Sequence, residues 1–144
     1  MIGLWFAIAG AAEYRISSSE EVETTVAVLQ PGDTLLIAAG EMVVAEGIAL
    51  SLSGTASAPI TIRGEDGAEL VVGSAASSGL SLTGSMWLNV ENLTIRGDAD
   101  WASSSFSGVR LSNVEDVRLS NVHIHSVGGS GVVITDGSER VTVQ

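Results

Sequence analysis

A chain of 144 residues with 6 basic and 17 acidic side chains carries a formal net charge of -11, which argues against a nucleic-acid partner whose phosphates it would repel. All the cations are arginine, so no lysine is present to serve as a base, a Schiff-base amine or a phosphate clamp. With 45% hydrophobic residues the chain is too apolar for disorder, and without cysteine it has no disulfide, thiolate metal site or cysteine nucleophile.

Residues 1–12 are an apolar run ending in small residues, with Ala9, Gly10 and Ala11 in the small-x-small pattern of a cleavage site. The run is too short for a bilayer, which takes about 20 residues. It is read as a signal peptide, with a buried first strand or a mis-set start codon as the alternatives; on the first reading the mature chain begins near Glu13 and is secreted, periplasmic or on the cell surface, with no membrane span. Residues 13–33 are the expected N-terminal cap. Within it, Ser19 reads as the N-cap of an acidic first turn (Glu20, Glu21, Glu23), and Val22, Val26 and Leu29 recur on one face of a helix over 19–30. Pro31, Gly32 and Asp33 stop it. From Thr34 the helical period gives way to short β-branched runs at 34–37, 42–44, 48–52, 60–63, 70–72, 80–82, 88–90 and 93–96, continuing to Val143 between Gly, Ser, Asn and Asp.

These runs repeat. Gly79-Leu80-Ser81-Leu82-Thr83 and Leu88 through Arg96 superpose without gaps on Gly108-Val109-Arg110-Leu111-Ser112 and Val117 through His125, at an offset of 29 residues. A third copy starts at Gly131-Val132-Val133-Ile134-Thr135. An earlier, degenerate one aligns Leu50-Ser51-Leu52 with Leu80-Ser81-Leu82, and Ile60-Thr61-Ile62-Arg63-Gly64 with Leu93-Thr94-Ile95-Arg96-Gly97. A unit this short cannot bury its apolar face alone, so the copies must stack as coils with parallel strands about 4.8 Å apart. Leu80, Val109 and Val132 then form one interior column, and Leu82, Leu111 and Ile134 another; Leu93 sits with Val122 and Ile95 with Ile124. Asn92 and Asn121 share a corner slot, where asparagine tolerates φ > 0 and can bond its stacked equivalent, the outline of a structural ladder. The predicted fold is all-β: a right-handed parallel β-helix over residues 34–144, about four coils open at the C-terminus, capped by the short helix.

The stretch Leu29-Gln30-Pro31-Gly32-Asp33-Thr34, the segment Gly54-Thr55-Ala56-Ser57-Ala58-Pro59-Ile60-Thr61-Ile62-Arg63-Gly64 and the Gly-Val-x-Leu-Ser-Asn copies resemble the N-terminal coils of secreted β-helix proteins of the pectin-lyase-like superfamily, including alginate lyase and chondroitinase B-like enzymes. The resemblance implies the N-terminal part of an exported protein that binds or helps process an acidic polysaccharide. In those lyases the Lys/Arg catalytic pair sits in later coils; this sequence lacks lysine and stops at Gln144, so no catalytic residue is carried over. The rival reading is a structural or adhesive cell-surface solenoid without enzymatic activity.

Strand alternation turns the residues between the interior columns outward. On the alignment above, Thr61, Thr94, His123 and Thr142 form one external column and Arg63, Arg96, His125 and Gln144 its neighbour. Stacked arginines repel, and acids that follow them in sequence (Glu65 and Asp66, Asp98 and Asp100) or an anionic sugar can offset this. The candidate carbohydrate-binding residues are therefore Arg63, Arg96, His123 and His125, with Trp101 as a stacking platform. His123 and His125 could offer two imidazoles to a metal, with Asp98 or Asp100 as a third ligand, but a pair reads first as exposed histidines on a strand, and no metal or cofactor is assigned. The unfinished last coil leads to an expectation of self-association.

Overall fold

The computed structural model describes residues 10–99 and 106–144. After a first strand β1 (Glu13–Ile16) and the helix α1 (Glu20–Val26), the chain coils. One turn is β2 (Thr34–Ile37), β3 (Gly40–Val44) and β4 (Ile48–Leu50); the next is β5 (Ile60–Gly64), β6 (Ala68–Val72) and β7 (Ser78–Thr83). Then come β8 (Met86–Gly97) with β9 (Ser107–Ser112), β10 (Glu115–His125) with β11 (Val132–Thr135), and β12 (Thr142–Val143), making a β-solenoid of about four turns. Every strand pairs in parallel with its equivalents in the neighbouring turns, and such crossovers are right-handed.

The stacked strands make three faces. The first runs β1, β2, β5, the first half of β8, the first half of β10 and β12; the second runs β3, β6 and the second halves of β8 and β10; the third runs β4, β7, β9 and β11. Inward residues such as Ile62, Val90, Leu70, Ile95, Leu82 and Leu111 are almost wholly removed from water and form one continuous core. Leu80, Val109 and Val132 lie in register, as do Leu82, Leu111 and Ile134, but Ile134, expected inside, is 48% exposed in the last turn.

Corners between faces are turned by residues in the left-handed region. Asn92 (φ 51°) and Asn121 (φ 50°) bend β8 and β10 from the first face to the second. Asn121 Nδ2 donates to Asn92 Oδ1 at 2.8 Å, and Asn92 Nδ2 donates to the Gly64 carbonyl at 2.9 Å. The corner that opens the first face carries Trp87 (φ 53°), Asp116 (φ 53°) and Arg140 (φ 50°), each directly over the last.

Three features of the expected register are corrected. Ile60 and Ile62 lie beside Leu88 and Val90 rather than Leu93 and Ile95, which places Arg63 on the first face beside Glu91 while Arg96 lies on the second beside Val71. Thr142 lies beside Arg118 rather than His123. The supposed external arginine column does not exist. In the degenerate copy, Leu50 pairs with Leu82, and Ile48 takes the place beside Leu80 that was expected for Leu50.

The helix is shorter than expected and is capped differently. It ends at Val26, and the chain reaches Pro31 through tight turns from Val28 and Leu29 back to Thr25 and Val26. Ser19 occupies the N-cap but makes no side-chain cap bond. Instead Glu21 Oε2 folds back to accept from the Ser17 and Ser18 N–H groups at 2.7 and 3.0 Å, which holds its carboxyl below the usual range. Val22 is buried, and Val26 and Leu29 pack against the core. Asp33, only 4% exposed, ties the cap to the first coil: its two oxygens accept from the Ala12 and Gln30 N–H groups, both at 2.8 Å. Among the described residues no helix is long and apolar enough to cross a membrane.

Candidate functional site

The outward side of the first face carries two rows. One reads Glu13, Thr34, Thr61, Asn89, Arg118, Thr142, and the other Arg15, Leu36, Arg63, Glu91, Ser120. Early in the solenoid this surface is closed by crossed ion pairs that reach over β2. Arg15 grips Glu65 with two bonds, Nε to Oε1 at 2.6 Å and Nη2 to Oε2 at 3.1 Å, and Arg63 Nη2 reaches Glu13 Oε2 at 2.7 Å. Leu36 points outward between the two arginines yet is only 9% exposed. Arg15 and then the Ala39 N–H hold the Glu65 carboxyl at about 2.

Further along, the same face opens into a cleft of about 360 Å³. Its floor is Asn89, Val117, Arg118 and Thr142; Ala56 and Pro59 line it from the loop before β5, and Trp87, Asp116 and Arg140 from the corner. Arg140 is clamped by carboxylates. Its Nε and Nη2 donate to the two Asp116 oxygens, both at 2.8 Å, and it also pairs with Glu115 and Glu139. The clamp lowers the Asp116 carboxyl and raises the Arg140 guanidinium. Arg118 differs. It is exposed, its register neighbours are the uncharged Asn89 and Thr142, and it has no protein hydrogen bond or ion pair among the described residues. Trp87 is a bulky residue held at positive φ, a conformation that costs about 1–3 kcal/mol and concentrates at functional sites.

The residues singled out from sequence are dispersed. Arg63 lies in the crossed lock of the first face. Arg96, on the second face, donates to Glu69 Oε2 at 2.9 Å and pairs with Glu41, so acids of the two preceding coils hold it, and its pKa is raised. His123 and His125 continue that second face beside Thr94 and Arg96, their ring centres 5.0 Å apart. Trp101 and Asp100 lie outside the described residues. Asn92 and Asn121 form the corner bond given above, and among the described residues no group of three potential metal ligands comes together.

Solved structures match this architecture. The chain superposes on an alginate lyase from Paenibacillus sp. str. FPU-7 with a TM-score of 0.78 and 22% identity, over 92% of this chain and 43% of that one. Over that span the chain shares the parallel β-helix fold of the lyase. A mutant of the PL6 family alginate lyase AlyGC matches with a TM-score of 0.54 and 18% identity, over 74% of this chain and 15% of the other. The chain thus spans less than half the length of either structure. No family model and no curated protein matches the sequence.

Trp87, Asn89 and Arg118 were passed over in the sequence reading. A signal for Arg118 existed in the correct register, since it is an arginine whose stacked neighbours bear no carboxylate. Nothing in the sequence signals the left-handed backbone of Trp87, because tryptophan is not a residue that favours it.

Proposed function

We propose that this solenoid binds an acidic polysaccharide in the first-face cleft, as the N-terminal coils of a polysaccharide-processing β-helix protein. The observation that carries the reading is Arg118, a guanidinium without a carboxylate partner, opening into the same cleft as an indole fixed in a strained backbone. A uronate carboxylate suits the two-pronged guanidinium, the sugar's apolar side suits Trp87 and Pro59, and Asn89 and Thr142 suit its hydroxyls. Alginate lyase activity in proteins of this fold supports a uronate polymer as the partner class. An extracellular location belongs to the same proposal, because such polymers lie outside the cell.

The net charge of -11 opposes long-range attraction of a polyanion, so recognition here is short-ranged and of modest affinity. The test is retention on alginate and polygalacturonate. Arg118→Ala is expected to weaken binding roughly tenfold to a hundredfold, the value of about 1.5–3 kcal/mol for a hydrogen bond to a charged group. Arg96→Ala, which removes a guanidinium already held by two carboxylates, should leave retention unchanged. Indifference of the wild-type chain to every uronate polymer would favour the structural solenoid instead.

A further inference from the structure

The second face ends in a feature that the polysaccharide cleft does not use. His123 and His125 alternate with Ile124 on β10 and so project from the same side. Residues two apart on a strand have backbones about 6.6 Å apart, yet these ring centres stand 5.0 Å apart at 47°, so the imidazoles lean together. Two imidazole nitrogens each about 2 Å from a shared tetrahedral ion place their ring centres about 5 Å apart. One ring is also oriented from behind. Ser126 Oγ stands 3.1 Å from His125 Nδ1, and in the tautomer with the proton on Nδ1 the hydroxyl accepts it and Nε2 keeps its lone pair for a metal.

We propose that His123 and His125 form a two-imidazole chelate for a borderline divalent transition-metal ion such as Zn²⁺, Ni²⁺ or Cu²⁺. Imidazole favours these ions over Mg²⁺ or Ca²⁺. The adjacent Arg96 does not bar a cation, because Glu69 and Glu41 both pair with its guanidinium, and the chain as a whole is strongly anionic. Among the described residues no third His, Asp or Glu joins the pair. Ser126 is the positioning residue. The site lies on a different face from Trp87 and Arg118 and stands independently of the sugar reading.

The experiment is a titration of the intact chain with zinc sulfate, followed by the imidazole carbon-bound proton signals in NMR, with magnesium sulfate as the comparison. Both histidine signals should move together and saturate at one equivalent of zinc, and neither should move with magnesium. His123→Ala and His125→Ala should each weaken zinc binding at least tenfold. Ser126→Ala should weaken it about tenfold, the lower end of what loss of an outer-shell partner costs. Circular dichroism of each variant reports the fold separately, and both histidines point away from the core. The proposal fails if only one ring responds, if neither does, or if zinc binding persists undiminished in His123→Ala; an unchanged Ser126→Ala would remove that residue's positioning role.

Discussion

Two corners of this solenoid use the same backbone conformation to opposite ends. At the corner between the first and second faces, Asn92 and Asn121 sit near φ 50° and consume their side chains on one another and on the Gly64 carbonyl. At the corner that opens the first face, Trp87, Asp116 and Arg140 adopt the same conformation, but the indole lines a cleft and the acid and base clamp each other. Asparagine is a residue that visits this region readily, and tryptophan is not. The first corner is what a stacked coil needs; the second holds a residue against its preference beside an unpartnered cation, which is why the cleft, rather than the ladder, reads as the working surface.

The largest expected effect tests what the corners share. Each brings a carbonyl against a glycine of the preceding coil: a Cβ at Gly64 would lie 2.2 Å from the Asn92 oxygen, and one at Gly54 2.4 Å from the Trp87 oxygen. Because the obstacles are backbone, Gly64→Ala and Gly54→Ala should each cost about 3 kcal/mol, measured by urea denaturation. If only one variant is destabilised, the corners are not built alike.

A smaller effect tests what differs between them. Asn121→Ala removes the amide bond and leaves a residue less tolerant of positive φ, so a loss of about 1–2 kcal/mol is expected. Trp87→Asn substitutes a residue at ease in that conformation, so its melting temperature should hold within a few degrees while retention on uronate polymers falls. Unfolding of Trp87→Asn comparable to that of Asn121→Ala would make the tryptophan a structural post and break the contrast.

The smallest effect concerns the closed part of the first face. Glu65 titrates at about 2 against an ordinary value of 4.5, so its pair with Arg15 stabilises the fold above the ordinary value and is lost as pH falls from about 4.5 through 2. Acid titration of the melting temperature should show this decline, and Glu65→Gln should flatten it.

The interior columns of the later coils were legible because β7 with β8 repeats in β9 with β10 without gaps over the compared strands, and the Asn92–Asn121 slot was legible for the same reason. The arginine column misled because Ile60-Thr61-Ile62-Arg63 resembles Leu93-Thr94-Ile95-Arg96 more than it resembles Leu88-Asn89-Val90-Glu91, its true neighbour. Both alignments bury the right residues, since the left-handed turn at Asn92 resets the in-and-out alternation and makes Leu88, Val90, Leu93 and Ile95 all interior. Hydrophobic pattern alone therefore does not say on which face a strand lies. The helix ended early for a related reason: Thr24 and Thr25 are weak helix formers, and packing of Val26 and Leu29 needs only a turn.

The amide relay at the first corner has a direction. Asn121 gives its hydrogen to Asn92, and Asn92 gives its own to Gly64, so each rung leans on the one before it in the chain and asks nothing of the one after. A winding built this way can be locked in the order in which a ribosome releases it, every new rung finding its acceptor already laid down.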